Sequence, residues 1–136
     1  MATNVLRIAV GIVVALTIAG CGGGDGKMNA RGRLVKGGAP LPAGVADDLR
    51  VTFYVLTPEG TTGKNSYLAA IDGKDGTFKV IGGDGKGLPP GKYRVCVENL
   101  GRQKNFVKGV HNTEASPFVF DIDARTKEIV IDLDQG

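Results

Sequence analysis

The chain has 136 residues, the length of one ordinary domain. Its net charge of +3 becomes +2 without residues 1–20, which carry Arg7, and this balance excludes the concentrated basic face that nucleic-acid binding requires. Glycine is plentiful (22 residues) and Trp is absent, a composition suited to many short strands joined by turns rather than to helices.

Residues 1–21 read MATNVLRIAVGIVVALTIAGC. Arg7 precedes an uncharged apolar run from Ile8 to Ala19 that ends in small residues, the layout of a secretory signal. The run is shorter than the roughly 20 apolar residues a membrane helix needs, so a signal helix is favoured over a permanent span. Ile18-Ala19-Gly20-Cys21 resembles the lipobox of bacterial lipoproteins, with Ile18 where Leu is commonest. The resemblance implies cleavage between Gly20 and Cys21 and lipidation of the Cys21 sulfur. Each buried methylene contributes about 0.8 kcal/mol, so two or more acyl chains hold a protein firmly to a membrane. With Gly22 rather than Asp next, the resemblance points to the outer membrane in a cell with two. A Gly-rich tether, residues 21–29, follows; a chain of that length spans about 15 Å, which would keep the domain close to the lipid.

The domain proper is predicted over 30–136. Ala30, Gly32 and Leu34 alternate with Arg31, Arg33 and Val35 as a first strand, and 36–44 (KGGAPLPAG) reads as a turn and loop. The clearest strand puts Leu49, Val51, Phe53 and Val55 on one face and Arg50, Thr52, Tyr54 and Leu56 on the other. After a loop at 57–65, Tyr67, Ala69 and Ile71 form a weaker strand. DGKDG (72–76) is a hairpin turn whose Asp-Gly pairs supply positive φ, and Phe78 and Val80 return facing inward. A second long loop at 82–90 leads to Tyr93, Val95 and Val97, which alternate with Arg94, Cys96 and Glu98. Phe118, Phe120 and Ile122, then Ile129, Ile131 and Leu133, complete seven strands. Strands with one apolar face each must bury it against another layer, so the expected fold is all-β, a seven-stranded antiparallel Ig-like or transthyretin-like β-sandwich after the signal helix.

ARGRLVKGGAPLPAG followed by LRVTFYVLTPEG resembles the opening hairpin of carboxypeptidase regulatory-like domains, which share the transthyretin-like (prealbumin-like) sandwich. DGKDGTFKV resembles their turn and strand, and LPPGKYRVCVE their most recognisable segment. The resemblance covers residues 30–134 and implies a mostly non-catalytic structural, accessory or binding module. The catalytic His and C-terminal signature of the hydroxyisourate hydrolase in the wider fold have no match here, so that activity does not carry over.

The residues themselves give little chemistry. His111 is the single histidine; Glu114 and Ser116 are near in sequence, but no second His joins it, so it reads as a loop residue rather than a triad member or zinc ligand. Asp72 and Asp75 read as turn residues, since Lys74 stands where a calcium loop wants a third oxygen ligand. Asp121, Asp123, Asp132 and Asp134 would gather carboxylates on an outer face if the last two strands were neighbours. The glycine-rich runs lack a complete phosphate loop, and no cofactor is expected. Arg102, Lys104 and Lys108, with Phe106 and Val107 among them, form a basic loop suited to contact with a partner or with anionic headgroups. With lipid on Cys21, Cys96 has no partner for a disulfide; alternation sets it opposite the core face, at least partly exposed unless a loop covers it. The function expected is therefore that of an envelope lipoprotein, anchored to the membrane and displaying a structural or interaction module that is not an enzyme. An envelope protein or polysaccharide is the expected partner. The alternative is a module for carbohydrate or cell-wall polymer, for which Tyr54 is the outward aromatic.

Overall fold

The computed structural model describes residues 26–101 and 106–136. The expected signal segment, Gly20, Cys21, most of the expected tether, Arg102 and Lys104 lie outside the described residues.

All seven predicted strands form, joined by a two-residue eighth. They are β1 (Arg31–Lys36), β2 (Ala39–Pro40), β3 (Leu49–Leu56), β4 (Thr62–Ile71), β5 (Thr77–Val80), β6 (Gly91–Asn99), β7 (Val119–Ile122) and β8 (Ile129–Asp132). Hydrogen-bonded neighbours run β2-β1-β5-β4-β3-β6-β7 in a curled sheet, antiparallel along this path. The curl depends on the ten-residue β4. Its first part pairs with β3 through Ser66, Tyr67 and Leu68, and its last three residues pair with β5.

Period-two alternation explains the core. Leu34 of β1, Val51 and Phe53 of β3, Phe78 and Val80 of β5, Tyr93, Val95 and Val97 of β6, and Ile129 and Ile131 of β8 are buried in one cluster inside the curl. The rings of Phe53 and Phe78 meet at 6.0 Å between centroids, and that of Tyr93 meets Phe53 edge-on at 6.3 Å. Residues from both ends of the strand path thus share one interior.

Three expectations are corrected. β8 pairs with β1 in parallel, Gly32 opposite Ile129 and Val35 opposite Asp132, so the sheet as a whole is mixed. Alternation decides which face is buried but not the direction of the neighbouring strand, and the sequence pattern is the same either way. Within the turn and loop expected at 36–44 the turn forms, with Gly37 (φ 60) and Gly38 (φ 78), but the residues after it are the edge strand β2 rather than loop. The expected 57–65 loop closes earlier, because Thr57 N–H donates to the Thr61 carbonyl at 2.8 Å and β4 starts at Thr62.

Candidate functional site

The convex side of the curled sheet is its outward face, and strand register fixes what it presents. β1 contributes Arg31 and Arg33, β5 Thr77 and Lys79, β4 Ser66, Leu68 and Ala70, β3 Arg50, Thr52 and Tyr54, and β6 Arg94, Cys96 and Glu98. Its depressions include two broad ones.

The larger is an open groove of about 710 Å³ over β1, β5 and the end of β4. Arg31 and Lys79 stand directly opposite one another across the β1–β5 pair, both exposed. Ala70 continues the row, opposite Lys79 on β4. Glu128 and Asp72 stand at the rim, but each has other partners. Glu128 accepts from Arg33 at 3.1 Å, and Asp72 accepts the Lys74 backbone N–H at 2.9 Å. Ile81, 40% exposed, borders the groove beside Leu68, 47% exposed. Sequence reasoning missed this pair of cations. Its signal was the outward phase of two short strands, but their adjacency required knowing that β1 pairs with β5.

The second depression, about 460 Å³, lies over β3, β4 and β6 and is lined by Arg50, Thr52, Tyr54, Ser66, Leu68 and Glu98 among others. Arg50 Nε donates to Glu98 at 2.7 Å across the strands, which raises the Arg50 pKa. Tyr54 points outward, as the alternation predicts, and also borders a smaller pocket of about 180 Å³ with Cys96 and residues 112–114.

Cys96 obeys the predicted register, and the covering loop that the expectation allowed for is present. It faces the outer side, yet only 6% of it is accessible, because the 110–115 segment folds over it. Its Sγ–H donates to the Thr113 carbonyl at 3.3 Å. Burial pushes the thiol pKa up, with Glu98 and Glu114 adding to the rise and Arg94 opposing it. This sulfur is held as a neutral thiol, the poorly nucleophilic form.

The structure disperses the other sequence candidates. Lys108 turns to the end of the chain, its ammonium donating to the Asp134 and Gly136 oxygens at 2.8 and 2.7 Å. His111 is buried in a short 3-10 turn, Gly109–Asn112. Its Nε2 lies 2.6 Å from the Gln135 carbonyl oxygen and its ring packs on Phe118. Since a carbonyl only accepts, Nε2–H is the donor of this bond, and among the described residues the buried Nδ1 has no hydrogen-bond partner. Glu114 accepts the Thr62 hydroxyl at 2.9 Å, and Ser116 Oγ–H donates to the Val95 carbonyl.

The aspartates are structural. Asp72, Asp75, Asp84, Asp123 and Asp132 each accept the backbone N–H two residues on, and the bonds that Asp75, Asp84, Asp123 and Asp132 accept hold their carboxyls below the usual range. β7 and β8 are not paired, so Asp121 and Asp123 do not join Asp132 and Asp134 across a ladder. Among the described residues no group of three or more His, Cys, Asp or Glu side chains is placed to hold a metal ion.

Comparison with protein-family models, with curated proteins and with solved structures finds no match to this chain.

Proposed function

We propose that this chain is an envelope lipoprotein: exported, cut between Gly20 and Cys21, anchored through lipid on Cys21, and displaying its β domain as a non-catalytic structural or interaction module. Gly22 after the cysteine fits the outer membrane in a cell with two. The observation that carries this reading is the junction of two features. A lipobox-like Ile18-Ala19-Gly20-Cys21 closes an uncharged apolar run. Seven positions after Cys21, Met28 bridges to Leu88 of the β domain by paired backbone hydrogen bonds of 2.9 and 3.1 Å. A domain placed so near a lipid anchor is a module for display. The finer fold we propose is the transthyretin-like sandwich of carboxypeptidase regulatory-like domains, with the two halves of the curled sheet as its layers. The Phe53–Phe78 contact between those halves supports it.

The test is metabolic labelling with an alkyne fatty acid. The wild-type protein takes up label, and Cys21→Ser takes up none. A wild-type protein without label overturns the reading.

One observation favours a second reading, a module for carbohydrate or cell-wall polymer. Tyr54 lies beside Thr52, Ser66, Arg50 and Glu98 in an open depression, an aromatic face ringed by hydrogen-bonding groups. Retention on an insoluble cell-wall polymer that is lost in Tyr54→Ala supports this reading; equal retention of both proteins removes it.

A further inference from the structure

We propose that the groove over β1 and β5 is a docking surface for anionic phospholipid, with Arg31 and Lys79 taking the headgroup phosphate. This inference rests on the lipoprotein reading and names the partner of its displayed domain.

The argument starts from an electrostatic oddity. Like charges placed directly opposite in a sheet repel one another and destabilise the pair. Arg31 and Lys79 are so placed, and among the described residues neither side chain makes an ion pair or hydrogen bond. The two acids at the rim, Glu128 and Asp72, make no ion pair with either cation; Glu128 pairs with Arg33, and Asp72 accepts a backbone N–H of its own turn. An anion seated between the two cations relieves the repulsion. Arginine supplies a planar fork suited to phosphate oxygens and lysine a point charge.

The surroundings select a lipid rather than a small ion. The groove is open, and exposed Ala70 and Ile81 line it beside the cations, with exposed Leu68 next to Ile81 in the neighbouring depression, an apolar strip that a free phosphate would not use. Cations beside an apolar strip fit a surface where phosphates lie next to acyl chains. Position agrees. Arg31 opens β1 only ten positions after Cys21, at most about 35 Å of chain even if fully extended, so on the lipoprotein reading the groove lies near the bilayer that holds the anchor.

The experiment uses the full-length protein taken from membranes, mixed with vesicles of phosphatidylcholine alone or of phosphatidylcholine with phosphatidylglycerol, then floated and treated with an amine-acylating reagent. Mass spectrometry reads acylation of Lys79 against exposed Lys64 on β4. The proposal expects Lys79 acylation to fall several-fold on phosphatidylglycerol vesicles relative to neutral ones, with Lys64 unchanged. High salt or Arg31→Glu should erase the difference. Equal Lys79 acylation on both vesicles overturns the proposal, as does protection by soluble alginate with none by phosphatidylglycerol. Failure of the anchor reading shows separately, as a protein that does not float with neutral vesicles. In that case flotation with phosphatidylglycerol vesicles still supports the groove, and flotation with neither overturns it.

Discussion

Asp132 Oδ1 accepts the backbone N–H of Gly37 at 2.8 Å, fastening the last strand to the first hairpin across almost the whole domain. The same carboxylate takes Gly38 N–H at 3.0 Å and Asp134 N–H at 3.0 Å. The bonds from Asp134, Gly37 and Gly38 are stronger to the ionised carboxylate than to the protonated acid, and they hold its pKa below the ordinary 3.8. A depressed folded value means that the stabilisation is present above the unfolded pKa and is lost as pH falls through the folded one. The urea midpoint should therefore fall on acidification below about pH 4. In Asp132→Asn that decline should be shallower, with a lower midpoint already at neutral pH. Some acid slope should persist, because Asp75, Asp84 and Asp123 are held down in the same way. An unchanged acid limb in the variant would remove Asp132 from the account.

Gly32 has no room for a side chain. A Cβ there would sit 2.0 Å from the Ile129 carbonyl oxygen and 2.6 Å from the Phe78 ring, so Gly32→Ala pries β8 off β1. Overpacking of this kind costs about 1–3 kcal/mol or more. Gly83 meets nothing within 4 Å and has no positive φ, so Gly83→Ala should stay within about 0.5 kcal/mol of wild type. Paired urea titrations of the two variants check the contrast.

Tyr93 links core packing to a turn. It is 1% exposed, and its hydroxyl donates to the Pro89 carbonyl. Burial first, and then the neighbouring Tyr67, push its pKa up to about 12. Because the folded value lies above the unfolded one, this contribution is complete below the unfolded pKa and is lost as pH rises through about 12. Tyr93→Phe should cost about 1 kcal/mol at neutral pH and flatten the loss of stability between roughly pH 10 and 12. Thermal denaturation across that range reads both effects.

Cys96 should not react with a water-soluble maleimide until the domain is unfolded, because Thr113 and its neighbours cover the sulfur. In denaturant, protein recovered from membranes should show one thiol per chain, since a thioether at Cys21 leaves Cys96 as the only free sulfur of the two. Rapid labelling of the native protein would contradict the cover, and two thiols would contradict the anchor.

Much of this fold was legible because its strands carry one apolar face each. Phe53, Phe78, Val95 and Ile131 face inward as their alternation dictates. What stayed hidden depends on contacts remote in sequence. The direction of β8 leaves the alternation of Ile129 and Ile131 unchanged. The cover over Cys96 comes from a segment with no period of its own. Of the two Asp-Gly pairs expected to supply positive φ, only Gly76 does (φ 74), while at Gly73 a Cβ would meet the carboxylate of Asp47, a neighbour remote in sequence. The Arg31–Lys79 pair was written in the outward positions of two strands, yet became a site only through their register.

Intact-mass spectrometry of the protein extracted from membranes, beside Cys21→Ser, tests the anchor most directly. The account predicts a polypeptide starting at Cys21 and carrying a diacylglycerol mass, with the variant lacking that mass. A wild-type protein that retains Met1 and carries no lipid would contradict it.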